Sequence, residues 1–182
     1  MRERPPTTVA ALTGVTKRYG VVTALDNVDL ALHAGEVLAL LGPNGAGKST
    51  ALGWLTGRLL PDAGQVQLYG LDPTLTAARR RIGCGAAAAR RWRAFWSAVT
   101  AACAAGGQQR RVQFALALVG NAPLLFVDEP TTGLDVEARR GLWQVLAGLK
   151  AAGTSIVLTT HYLEEADALA DRIVVIDRGR IR

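Results

Sequence analysis

Residues 42–50 read GPNGAGKST and follow directly on VLALL at residues 37–41. Five consecutive apolar residues suit a strand buried on both faces. Gly42, Gly47, Lys48 and Ser49 match the spacing GxxxxGK[ST], and a helical stretch runs on towards Gly57. A strand, a glycine loop and a helix in that order predict a phosphate cradle. Gly42, Gly45 and Gly47 let backbone N–H groups converge on an anion with no Cβ in the way. The helix after them turns its positive end to the same point. In such a cradle Lys48 neutralises the β/γ oxygens of a nucleoside triphosphate, and the Ser49 hydroxyl ligates Mg2+. Asn44 and Thr50 belong to the same loop.

On the N-terminal side, VAALTGVTKRY (9–19) and ALDNVDLALH (24–33) alternate and read as antiparallel strands, the second with Val28, Leu30 and Leu32 on one face. On the C-terminal side a turn at 61–64 leads to a strand in QVQLYG. Helices are then expected at 108–119, 136–150 and 163–170, and strands at 124–127, 155–158 and 173–176. Strands alternating with helices imply a parallel sheet covered on both sides. The fold class expected is therefore α/β, with an antiparallel β part ahead of the cradle.

Two acids close the apolar strand LLFVDE at residues 124–129. Side chains alternate along a strand, so Asp128 and Glu129 face different ways unless the chain bends there. Asp128 is expected to hold Mg2+, directly or through water, and Glu129 to orient and polarise an attacking water. His161 follows SIVLTT at the carboxyl edge of the expected sheet, where ligands of open α/β folds collect. A neutral imidazole there can hold the γ-phosphate and the water in place.

The chain of 182 residues is 49% hydrophobic, 20% charged and 5% aromatic, which excludes disordered, collagenous and coiled-coil classes. No apolar run approaches the ~18 residues needed to span a bilayer. MRERPPTTVA lacks the apolar core of a signal peptide. Cys84 and Cys103 form neither a metal cluster nor a disulfide framework, so a cytoplasmic protein with reduced thiols is expected. The net charge of +6 is local, since residues 73–127 contain eight arginines and no acid, leaving −2 for the rest. That concentration weakens a general nucleic-acid or membrane reading of the charge, and no nucleic-acid partner is expected. Residues 84–105, CGAAAARRWRAFWSAVTAACAA, stand apart because their pattern specifies no single buried face. Their Ala, Arg and Trp content is what out-of-frame reading of G+C-rich DNA yields.

Taken together, KRYG at Tyr19, GPNGAGKST, GGQQRR, LLFVDEP, TTGLD and TTH closely resemble the ATP-binding cassette (ABC) ATPases, the motor subunits of membrane transporters. PTTGLD with TTHYLEEADALADRIVVIDRGRI looks most like the branch that exports drugs, lipids or polysaccharides. The resemblance implies a single nucleotide-binding domain over residues 1–182, built on a P-loop NTPase core. Within it fall an antiparallel β part (1–36), the P-loop core (37–83), a helical-subdomain remnant (84–105), and the signature helix with the second half of the core (106–182). It implies ATP and Mg2+ as ligands, a homodimer or heterodimer formed through the ATP sites, a separate transmembrane permease subunit, and a place at the inner face of the cell membrane. By the same resemblance Tyr19 stacks on adenine, Gly106, Gly107 and Gln108 meet the partner's nucleotide, Asp135 lies at the dimer contact, and His161 is the switch histidine.

Departures from the family pattern are as specific as the matches. No glutamine stands between Gln67 and Gln108, so the family's glutamine loop after a strand like RRRIG has no candidate. The family signature LSGGQ reads Ala104-Ala105-Gly106-Gly107-Gln108 here, without the serine hydroxyl. The stretch between Gly83 and Gly106 is a few tens of residues shorter than the family shows, and the chain ends at Arg182, soon after the last core strand. An ATP-hydrolysing exporter subunit and a nucleotide-binding relic or regulatory module with impaired hydrolysis both remain open on these grounds.

Overall fold

The structure is a computed structural model and describes residues 7–80, 82 and 122–182. The expected helix at 108–119, the segment 84–105 and the signature residues Gly106, Gly107 and Gln108 lie outside the described residues. Strands β1 (Thr8–Tyr19) and β2 (Val22–His33) form an antiparallel hairpin. Val28, Leu30 and Leu32 point to one buried face, as their alternation predicts. Strand β4 (Ala63–Leu68) pairs with the other edge of β1, giving the order β2-β1-β4.

A second sheet has the order β5-β6-β3-β7-β8. Its centre is β3 (Val37–Leu41), the apolar run ahead of the glycine loop. Strand β3 runs parallel to β6 (Ser155–Thr160) on one side and β7 (Arg172–Asp177) on the other. Strand β5 (Leu124–Asp128) lies parallel outside β6, and the short β8 (Arg180–Ile181) folds back antiparallel on β7. Ile82 adds one isolated parallel bridge to Leu124 of β5.

Because side chains alternate along each strand, the sheet supplies two cores. Leu38, Leu40, Leu124, Phe126 and Val157 pack towards the antiparallel sheet and helix α1 (Lys48–Leu55), around the fully buried Trp54. Val37, Ala39, Leu125, Val127, Ile156 and Leu158 pack towards helices α3 (Val136–Ala151) and α4 (Leu163–Leu169). Each fully buried Leu, Ile or Phe contributes about 1.5–3 kcal/mol. Both faces of β3 are therefore held, and the carboxyl ends of β3, β5 and β6 open at one edge.

Differences from the sequence expectation are small and local. Strand β4 begins at Ala63, inside the expected turn, because β1 offers it an edge to pair with. Strands β5 and β6 run on to Asp128 and Thr160, since Asp128 still pairs with Thr159 across the ladder. The single-turn helix α2 (Thr76–Arg79) and strand β8 carry too few residues for a period to show.

Candidate functional site

The glycine loop needs its glycines for packing as much as for ligand approach. A Cβ on Gly42 would lie 2.1 Å from the Ile176 carbonyl oxygen of β7. At Gly47, φ is 108°, and a Cβ would meet the Ala24 carbonyl oxygen at 2.5 Å and Leu25 Cδ2 at 2.6 Å. The loop is thus seated between the parallel sheet and the β1–β2 hairpin. Gly47 starts α1 with no side-chain cap, and no acid occupies the first turn. The N–H groups of that turn stay directed at the loop, with nothing of the chain's own charge to occupy them.

Lys48 is only 4% exposed. Its Nζ donates to the Gly42 carbonyl at 2.7 Å and the Pro43 carbonyl at 3.1 Å, and lies 3.3 Å from Glu129 Oε1. Ser49 Oγ donates to Asp128 Oδ1 at 3.3 Å. The start of α1 and the end of β5 thus place a cation, a hydroxyl and two carboxylates together.

Glu129 has a φ of 45°, the bend that strand alternation left open. It brings Asp128 and Glu129 to line one hollow rather than opposite faces. Thr159 on β6 holds the bend. Its hydroxyl donates to Asp128 Oδ1, while the Glu129 N–H donates to its Oγ1 at 3.0 Å and its carbonyl at 3.1 Å. Thr132 Oγ1 donates to Glu129 Oε2 at 3.3 Å. His161 follows β6, with Nδ1 3.5 Å from Glu129 Oε2, too far for a good hydrogen bond.

The hollow between these groups has a volume of about 540 Å³ and is lined by Tyr19, Asn44, Gly45, Gly47, Lys48, Ser49, Thr50, Asp128 and Glu129. Ala24 lines it as well, a position that sequence reasoning passed over because alanine carries no chemical signal. Tyr19 is 49% exposed, with the Lys17 ammonium 5.5 Å from its ring centroid. Asp135 lies elsewhere, capping α3 by accepting a hydrogen bond from the Ala138 N–H at 2.8 Å. Sequence reasoning also missed Thr159; its only trace was the threonine pair ahead of His161.

A central parallel strand, a glycine loop, a buried lysine and a strand-end carboxylate pair define a P-loop nucleotide-binding protein. Comparison narrows the class. A family model described as ABC transporter matches residues 25–95, and one described as AAA domain, putative AbiEii toxin, Type IV TA system matches residues 104–167. The chain is 36% identical over 221 residues to the Nod factor export ATP-binding protein I of Ralstonia nicotianae, covering 98% of this chain and 69% of that protein. It is 37% identical over 213 residues to the daunorubicin/doxorubicin resistance ATP-binding protein DrrA of Streptomyces peucetius, covering 97% and 64%. In solved structures, the dimeric bacterial ABC transporter cassette MJ0796 superposes with a TM-score of 0.73 at 25% identity, over 95% of this chain and 96% of that one. The ADP conformation of the cassette MJ1267 gives 0.76 at 21% identity, over 97% and 90%, a likeness of fold. The chain belongs to the family of ABC transporter ATP-binding subunits, whose members hydrolyse ATP. It spans about two thirds of the length of these curated relatives, and alignments longer than its own 182 residues show that they carry residues it lacks. Among the described residues no helix is long and apolar enough to cross a membrane.

Proposed function

We propose that this chain is the ATP-binding and ATP-hydrolysing domain of a membrane exporter, acting at the inner face of the cell membrane. It works as a homodimer or heterodimer closed around Mg-ATP, beside a separate transmembrane permease subunit. The observation that carries the reading is the uncapped, acid-free start of α1 with buried Lys48 facing Asp128 and Glu129 across the 540 Å³ hollow. The export branch is supported by the names of the relatives, which concern Nod factor export and resistance to daunorubicin and doxorubicin.

Each group has one task in this reading. Loop N–H groups and Lys48 take the phosphates, and Tyr19 stacks on the base. Ser49 Oγ and Asp128 Oδ1 converge as hard oxygen donors, the set that Mg2+ selects, and the ion would neutralise phosphate charge there. Glu129 orients water, His161 holds it and the γ-phosphate, Gly106, Gly107 and Gln108 face the partner's nucleotide, and Asp135 lies at the dimer contact beside it.

A second reading, nucleotide binding with impaired hydrolysis, is favoured by the lack of any glutamine between Gln67 and Gln108 and by Ala105 in place of the signature serine. A Mg-ATP titration beside a steady-state hydrolysis assay, with and without the permease, separates the two. Binding with turnover supports the first reading and binding without turnover the second. No binding overturns both.

A further inference from the structure

Glu165 is buried to 1% exposure on α4, four residues beyond His161. Its Oε2 accepts a hydrogen bond from Thr131 Oγ1 at 3.1 Å, and its Oε1 accepts one from Trp143 Nε1 at 3.4 Å. Thr131 is equally buried and sits two residues beyond Glu129, while Trp143 belongs to α3. Among the described residues no cation lies within ion-pair distance of the Glu165 carboxyl. Burying a carboxyl group costs free energy that neutral hydrogen bonds only partly recover. A buried apolar side chain at this position would carry no such cost. What the carboxyl adds is a tie between α3, α4 and the loop after Glu129, beyond the point where the β5–β6 ladder ends at Glu129 and Thr159.

A neighbouring contact repeats the pattern one helical turn earlier. Arg139, four residues before Trp143 and so on the same face of α3, places its guanidinium 5.0 Å from the Tyr162 ring centroid. The Tyr162 ring lies 4.0 Å from the His161 imidazole. Helix α3 thus reaches the His161 segment at two rungs, and the lower one continues through Glu165 to the loop carrying Glu129. His161 and Glu129 stand 3.5 Å apart without a hydrogen bond of their own, so their separation is set by what ties their two segments together: Thr159, which holds the Glu129 N–H from β6, and beyond it the Glu165 contacts.

We propose that Glu165 is a positioning residue: through Thr131 and Trp143 it completes, beyond the Thr159 contacts, the tie that fixes the distance between Glu129 and His161 and hence the place of the attacking water. The role rests on the hydrolysis reading above, but part of its test does not. Glu165→Gln keeps an acceptor for Trp143 and a polar partner for the Thr131 hydroxyl, whereas Glu165→Leu and Thr131→Val each cut the tie at near-constant volume. A misplaced reacting group costs turnover steeply, so each cutting variant lowers kcat about tenfold or more. ATP affinity stays within about twofold, because neither residue touches the hollow. The double variant falls no further than the worse single one, since both cut the same link. Glu165→Gln stays near wild type.

With only two histidines in the chain, His33 and His161, the imidazole NMR signals are assigned by a single His33→Gln variant. Thr131→Val and Glu165→Leu shift the His161 signals, and Glu165→Gln does not. Cutting variants that lower Tm while leaving both kcat and the His161 signals at wild type overturn the proposal and leave Glu165 a packing residue. Should the wild type bind ATP without turnover, the hydrolysis reading fails, and the His161 signals alone then decide the tie. If Glu165→Leu does not fold, Thr131→Val carries the same measurements.

Discussion

Two hollows of the same size, about 540 Å³ each, lie at opposite ends of the parallel sheet. At the carboxyl end, the loop after β3 and the acids after β5 enclose the candidate site. At the amino end, Ala34, Gly35, Glu36, Ala147, Lys150, Ala151 and Asp171 enclose the other. There the charges are spent on one another. Lys150 Nζ pairs with Asp171 Oδ1 at 2.6 Å, Arg172 Nε with Glu36 Oε1 at 2.7 Å, and the second oxygens accept the N–H groups of Val37 and His33. Around the site, Lys48 rests on neutral carbonyls and a 3.3 Å contact to Glu129, and the first turn of α1 is uncapped. Volume does not distinguish the two ends. Unspent polar capacity does.

Glycine substitution is expected to separate the ends most sharply. Gly42→Ala drives a methyl into the backbone of β7, so the loop must move. The expected cost is about 3 kcal/mol, as for a severe overpacking, with Tm lowered by roughly 6–10 °C and ATP binding lost. Gly35→Ala at the other end meets nothing within 4 Å and bears only the strain of a φ of 75°. It should cost about 1–2 kcal/mol and leave ATP binding alone. Thermal melts with ATP titrations check both. Equal effects on binding would mean that the glycine loop is not a built cradle.

That contrast also shows where the sequence was readable. The VLALL run, the glycine loop and the apolar strands β5 and β6 each carry a strong local pattern, and burial on both faces leaves the chain few alternatives. Asp128, Glu129, Lys48 and Ser49 could be named because their residue types and spacing state the chemistry, whereas Tyr19 was named only through the family resemblance of KRYG. The bend at Glu129 could not be foreseen, because Thr159, which holds it, is thirty residues away. The tie through Glu165 was hidden in the same way. LEEADAL reads as an ordinary amphipathic helix, and only packing shows that Glu165 is turned inward while Glu164 is exposed. Asp135 resisted for the opposite reason. Within the chain it is a helix cap, and any role towards a partner lies beyond one protomer.

Next in size is Glu129→Gln, expected to lower turnover about 100-fold or more, because orienting water matters in the transition state and little in the bound state. ATP affinity should not fall, since the change removes a negative charge 3.3 Å from Lys48 rather than a phosphate contact. Glu36→Gln, the corresponding change at the amino end, should leave turnover unchanged. Steady-state kinetics on the pair checks this. Undiminished turnover in Glu129→Gln would assign the water to another group.

Lysine replacement gives a smaller step. Lys48→Ala removes the cation nearest the β/γ oxygens and should weaken ATP binding by at least ~2 kcal/mol, about 30-fold in Kd. Lys150→Ala removes a cation already committed to Asp171 and should leave Kd within error. Calorimetric titration of both variants measures the difference between a lysine poised for a ligand and one closed into an ion pair.

The smallest expected effect belongs to Asp171, and its sign follows from its surroundings. Burial pushes its carboxyl up, but the hydrogen bonds and attraction from Lys150 and the Val37 N–H outweigh that and hold it below the ordinary 3.8. A carboxylate with a depressed folded-state pKa stabilises the protein above its unfolded pKa, and that stability is lost as pH falls through the folded value. The Asp171 side chain is 44% exposed, so screening limits its contribution to less than about 1 kcal/mol. Asp171→Asn should therefore lower Tm by no more than about 2–4 °C at pH 7, with the gap to wild type closing as pH falls below the ordinary 3.8. An asparagine still accepts the Val37 N–H, so what the variant loses is the charge interaction with Lys150 alone. ATP affinity should not follow the change at any pH, because the length of β3 and two packed cores separate Asp171 from the phosphate cradle. A matched loss of binding would show that the ion pairs at the amino end help to seat the glycine loop.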